Sequence, residues 1–223
     1  MKLEAKRVAV IAPHPDDETL GAGGTISRLA AEGVEVSVLV VSGHLPPLYA
    51  PEIFERTHAE ALAALRKLGV ARSLFLRVPA TKVHEAPVAE LNEKISQFVR
   101  ESAPDLVLIP FPDRHIDHRV IFDAALVACR PVGTSAPKAV LAYETLSETH
   151  WNAPGIEPAF VPELFIDISD RIDTKAAALE CYASQMKGAP SRSVDACKAL
   201  ARFRGSQNGC TYAEAYKVVR IVL

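Results

Sequence analysis

Two short stretches of this chain carry chemistry that packing alone does not require. His14-Pro15-Asp16-Asp17-Glu18 sets one imidazole beside three carboxylates, directly after the apolar run Val8-Ala9-Val10-Ile11-Ala12. Carboxylates crowded in this way repel one another unless a cation or a set of donors compensates them. The second stretch, His115-Ile116-Asp117-His118, follows another apolar run, Leu106 to Pro110. His14 and Asp17 are three residues apart, as are His115 and His118, so each pair can share one face of a helical turn.

Together His14, Asp17 and His118 would offer two imidazoles and one carboxylate to a divalent metal, leaving a coordination position for water. That donor set is the pattern of catalytic zinc and also of non-heme iron(II). A structural zinc site would use four protein ligands with more sulfur, and no cysteine lies near either stretch. Metal binding lowers the pKa of a water to about 7, and Asp16 is at hand to take its proton. Spacing leaves open which of Asp16 and Asp17 ligates and which faces the water. A dinucleotide site is excluded by spacing. Gly21-Ala22-Gly23-Gly24 is not GxGxxG, it falls inside the helix, and the acidic turn would repel a pyrophosphate. These glycines are expected to allow close helix–sheet packing.

The elements that must hold these stretches alternate between β-branched apolar runs and segments of helical period, which predicts βαβ units around a mainly parallel sheet. Strands are expected at 7–12, 34–41, 73–76, 105–110, 138–143 and 164–168. Helices are expected at 19–33 with Gly33 as a cap, 52–68 stopping at Gly69, 88–101, 116–129, 169–183 and 193–203. Loops cover 131–137 and 151–155, and a last segment begins at Tyr212. The fold class is therefore α/β, a Rossmann-like sheet flanked by helices, read as one domain over residues 1–223. Ligands of such sheets bind beyond the carboxyl ends of the strands, so the ends of strands one and four should bring residues 13–18 and 110–118 together.

With 25 basic and 27 acidic residues the formal charge is −2, which gives no global field for nucleic acid or an anionic membrane. No run approaches the roughly 20 apolar residues of a membrane span, and no signal segment is legible at the amino terminus. Cys129, Cys181, Cys197 and Cys210 form no CxxC and are read as free buried thiols. A cytoplasmic location is the expectation; a homo-oligomer is left open.

The sequence resembles the LmbE-like or PIG-L-type zinc N-deacetylases, whose marks are a (P/A)HPDDE turn and a later HxDH. Both stand here, at 13–18 and 115–118. Weaker likeness runs through Arg56 and Glu60, Tyr143-Glu144 to Trp151, Arg204-Gly205-Ser206-Gln207 and Tyr212 to Tyr216. The resemblance implies that His14, Asp17 and His118 bind zinc and that Asp16 is the general base. It implies that protonated His115 stabilises the oxyanion or the leaving amine, with Asp117 orienting that imidazole and raising its pKa. Arg56, Glu144 and Trp151 would meet the substrate, an N-acetyl amino sugar or glycoconjugate that is cleaved to acetate and a free amine. Some relatives carry a tyrosine where Asp113 stands, and Arg114 is the candidate to take its part. Alternatives are a zinc amidase on a different amide, such as a thiol conjugate, and a metal- or sugar-binding protein without activity.

Overall fold

The computed structural model describes residues 5–133, 136–186, 188 and 190–222. Its sheet has seven strands: β1 (Arg7–Ala12), β2 (Glu35–Gly43), β3 (Arg72–Pro79), β4 (Leu106–Pro110), β5 (Ala139–Tyr143), β6 (Leu164–Asp167) and β7 (Ala213–Ile221). Their order is β3-β2-β1-β4-β5-β7-β6. The first five in that order pair in parallel. The segment after Tyr212, left without a type by its sequence, forms β7 and runs antiparallel between β5 and β6.

Strand alternation divides the core. Val8 and Val10 of β1 face a layer that includes Leu20, Ile26, Leu65 and Leu68, whereas Ala9 and Ile11 face one built on Ile95, Phe98, Ile121 and Ala125. The first layer draws on α1 (Asp17–Ala31), α2 (Pro51–Leu68), α5 (Ile172–Leu179) and α7 (Val194–Ser206), and the second on α3 (Val88–Ser102) and α4 (Ile116–Ala128). The helix expected at 169–183 is interrupted. Arg171 N–H turns back to Ile168 O, α5 begins at Ile172, and only Ala183–Met186 resumes as a short α6. In the loop expected at 131–137, Thr134 and Ser135 lie outside the described residues.

The connection after β1 runs to β2 on one side, while β4 packs on the other. The strand order therefore reverses between β1 and β4, and the crevice at their carboxyl ends is the switch point of the sheet. Both chemistry-bearing turns open there. Above it, α1 lies close to the sheet. A Cβ on Gly21 would come within 2.2 Å of Tyr143 Cδ2, and one on Gly24 within 2.6 Å of Ile168 Cδ1, so the glycines serve the expected close packing. A buried ion pair fastens the same helix. Lys175 Nζ reaches Glu214 Oε1 at 2.5 Å and Leu20 O at 2.8 Å, and Glu214 accepts the N–H groups of Gly24 and Thr25 at 2.8 and 2.7 Å. The four cysteines are free, Cys129 and Cys197 buried and the other two half-buried. Among the described residues no helix is long and apolar enough to cross a membrane.

Candidate metal centre

The acidic turn is pinned at its start, where Pro13 O accepts both Ser42 N–H (2.9 Å) and Ser42 Oγ (2.8 Å) from β2. Asp16 then adopts a φ of 116°, a region that costs a non-glycine residue about 1–3 kcal/mol and persists only where its surroundings impose it. Its carbonyl accepts Thr19 and Leu20 N–H and so starts α1. Glu18 faces inward with no exposed surface. It accepts Thr19 Oγ1 at 2.7 Å, Tyr182 Oη at 2.5 Å and, weakly, Asp16 N–H at 3.3 Å. Burial raises its carboxyl pKa against the pull of these donors. Of the three crowded carboxylates, one is thus a strut behind the turn, and Asp16 and Asp17 face the crevice.

Asp17 Oδ2 lies 3.0 Å from His14 Nδ1 and 3.3 Å from His118 Nε2. Each imidazole is held at its far nitrogen by another carboxylate: His14 Nε2 by Asp117 Oδ2 at 2.9 Å, and His118 Nδ1 by Asp113 Oδ2 at 3.0 Å. Those carboxylates are themselves fixed. Asp117 accepts Thr81 N–H at 2.6 Å, and Asp113 accepts Thr149 Oγ1 at 2.8 Å and His115 N–H at 3.0 Å. The outer bonds make His14 Nε2 and His118 Nδ1 donors, and the opposite ring nitrogens, His14 Nδ1 and His118 Nε2, converge on Asp17 Oδ2, toward which each can turn a proton or, around a shared cation, a lone pair. His118 Nε2 is buried and makes no hydrogen bond. Such carboxylate–imidazole pairs are how proteins orient histidine ligands toward a metal.

The electrostatics agree that a cation belongs between these groups. Burial works against charging either imidazole. For His14, bonds to Asp117 and Asp17 outweigh burial and lift the pKa to about 9, and for His118 the charge of Asp17 and the bond to Asp113 lift it to about 10. The Asp17 carboxyl is held well below the usual range, against burial, by the charge of His118. Without a metal, protons must fill the place of the positive charge. The ring nitrogens of His14, His115 and His118 also lie within 4.8 Å of one another, so two histidines belong to either ligand set and Asp17 or His115 would complete it.

Asp16 is buried, and its Oδ2 has no hydrogen-bond partner. Burial and the neighbouring Asp17 push its carboxyl pKa well up. His115 departs from the expected arrangement. Its Nδ1 accepts Asp117 N–H at 3.2 Å and caps α4, while the Asp117 carboxylate turns to His14. Burial and the charges of His14 and His118 take its pKa down to about 4, although Asp117 pulls upward. The imidazole is oriented by the backbone of Asp117, and with Nδ1 accepting, its proton sits on Nε2.

These groups line a cleft of about 90 Å³ that opens to solvent. Its other walls come from His44 and Tyr49 after β2, Thr81 after β3, Glu148 after β5, and Gln185 and Arg192 before α7. None of the four residues expected to meet the substrate lines it. Arg56 is exposed on α2, and Glu60, one turn on, binds Ser184. Arg114 is exposed and forms no ion pair with Asp113 or Asp117 among the described residues. Glu144 is buried in a two-point pair with Arg204 at 2.8 and 2.6 Å. Trp151 is half exposed in a loop. Asp113 takes no tyrosine-like place at the cleft, because it is spent on His118. Glu148 and Arg192 were not legible, since neither belongs to a motif; of the wall residues only His44, at a strand end, had a positional signal.

The fold and the site thus define an α/β protein with a switch-point crevice in which paired imidazoles stand beside a carboxylate oxygen that has no hydrogen-bond partner. Residues 9–129 match the family model described as PIG-L, GlcNAc-PI de-N-acetylase, and the chain belongs to that family. It is 30% identical over 189 residues to the uncharacterized deacetylase YaiS of Escherichia coli, covering 80% of this chain and 91% of that one. It is 26% identical to the diacetylchitobiose deacetylase of Thermococcus kodakarensis, over 97% and 84% of the two chains. The crystal structure of the conserved protein TT1542 from Thermus thermophilus superposes with a TM-score of 0.78 at 31% identity, over 97% of this chain and 96% of that one.

Proposed function

We propose that the protein is a zinc-dependent N-deacetylase, a single unit over residues 1–223 acting in the cytoplasm. It releases acetate from an N-acetylated amino sugar or a small molecule that contains one. The observation that carries this reading is the convergence of His14 Nδ1 and His118 Nε2 on Asp17 Oδ2, beside the Oδ2 of Asp16, which has no hydrogen-bond partner. The family membership and the diacetylchitobiose deacetylase relative support the choice of an acetamide on a sugar.

His14, Asp17 and His118 would hold the metal. Two nitrogens and one oxygen suit zinc, and iron(II) accepts the same donors. When bound, zinc supplies Lewis-acid polarisation of the amide carbonyl and a water of lowered pKa. The chain supplies the rest. Asp113 and Asp117 fix the imidazoles, and Asp16 accepts the proton of the attacking water through its unpartnered oxygen. His115, with its proton on Nε2, donates a hydrogen bond to the developing oxyanion, and Asp16 returns the proton it took from the water to the leaving amine. Acetate release from a panel of N-acetyl sugars tests the proposal. Metal-stripped protein should be inactive and recover with one equivalent of zinc. Tight zinc binding with no release from any member would move the reading to another amide or to a binding role.

A further inference from the structure

The cleft wall opposite the imidazoles carries a charge pair that the proposed chemistry does not use. Arg192 ends a short 3-10 turn, Pro190–Arg192, and its guanidinium is held in place from the loop after β5. Nε donates to Ser147 Oγ at 3.1 Å and Nη2 to Glu148 Oε1 at 3.2 Å. Nη1 stands 3.8 Å from Asp16 Oδ2, too far for a hydrogen bond. Both side chains reach solvent, 27% exposed for Arg192 and 13% for Glu148. A pair open in this way contributes little to folding. Its geometry has a different use, because it presents an N–H donor and a carboxylate acceptor side by side, with Arg192 Nη1 3.8 Å from Asp16 Oδ2.

We infer that Arg192 and Glu148 are the recognition pair for the substrate, and that they select an uncharged, polyhydroxylated ring over an anionic one. The inference rests on the deacetylase reading of the same cleft. A sugar hydroxyl both donates and accepts, so two neighbouring hydroxyls match Arg192 Nη1 and the remaining oxygen of Glu148 at once. A substrate phosphate or carboxylate finds no net cation here. Glu148 already balances the guanidinium, Asp16 flanks its other edge, and Arg192 is the only lysine or arginine lining the cleft among the described residues. A planar guanidinium held at two of its nitrogens is preorganised for a directed contact, which a lysine would not reproduce.

The test is steady-state acetate release by zinc-loaded wild type, Arg192→Gln, Arg192→Lys and Glu148→Gln, using N-acetylglucosamine and its 6-phosphate. Zinc content and melting curves confirm that each variant is folded and loaded. The wild type should prefer the neutral sugar. Arg192→Gln and Arg192→Lys should raise its KM about tenfold or more with kcat nearly unchanged. Glu148→Gln should shift the kcat/KM ratio about tenfold toward the phosphate, since it frees the guanidinium. A fall in kcat at constant KM would overturn the inference by making Arg192 a partner of Asp16 rather than of the sugar, and so would an unchanged preference in Glu148→Gln. A wild type that releases no acetate from either sugar, when other N-acetyl sugars are also inert, would remove the deacetylase reading and this inference with it.

Discussion

Glu18 has no exposed surface, yet it sits between the strained Asp16 and the side chains of Tyr182 and Thr19. Its carboxylate accepts every one of these contacts, and an amide in its place would turn a donor toward Asp16 N–H or toward the two hydroxyls. Glu18→Gln should therefore relax the Asp16 turn, lowering turnover about 10–100-fold as other outer partners of metal sites do, and destabilise the fold by about 1–3 kcal/mol. Acetate release and urea unfolding would read both effects; unchanged turnover would make Glu18 a packing residue only. At this scale the residue types and the three-residue spacings of the two motifs made His14, Asp17 and His118 legible as candidates. The direction of each side chain was not legible. Glu18 turns inward and Asp117 turns to His14 rather than to His115, because those choices depend on Tyr182, Thr81 and Val83, which are remote in sequence.

At the scale of elements, α1 delivers Asp17, and its distance from the sheet is set by Gly21, Gly24 and the Lys175–Glu214 pair. Removing one partner of a buried pair strands the other charge, at a cost of about 3–5 kcal/mol. Lys175→Met should lose that much stability in urea unfolding, since Glu214 stays buried against the Gly24 and Thr25 amides; a loss below about 1 kcal/mol would mean that the pair does not hold α1 to the sheet. The alternating runs made β1 to β5 and the helices between them legible, since parallel strands buried on both faces read as near-continuous apolar sequence. The antiparallel end was harder. β7 carries Glu214 and Lys217 within its run, and the buried role of Glu214 answers to a lysine 39 residues away. The helical pattern over 169–183 likewise hides the break before α6, where Tyr182 leaves the helix to reach Glu18.

At the scale of the whole molecule, the crevice between β1 and β4 gathers groups from six separate connections. The motifs supplied the wall that carries His14, Asp17, His115 and His118. The opposite wall, with His44, Glu148 and Arg192, comes from loops whose approach only the closed sheet determines, and the residues that the family likeness suggested for it lie elsewhere. Because His14 comes from the connection after β1, Asp17 from the start of α1 and His118 from α4, a bound cation would tie the two halves of the crevice together. Zinc at about a hundred times its Kd should stabilise the folded state by about 2.7 kcal/mol, and its removal should lower the melting temperature by roughly 5–10 °C in a chain of this size. Scanning calorimetry with and without a chelator would show it, and identical curves would argue against a site that bridges β1 and β4.

The most direct test of the central claim separates the metal from the base. Asp16→Asn should be assayed for acetate release and for zinc content in the same preparation. The account predicts one zinc per chain, held by His14, Asp17 and His118, with turnover lowered about 10²–10⁴-fold. Near-normal turnover with zinc bound would contradict it, because the unpartnered oxygen of Asp16 would then have no part in moving the proton.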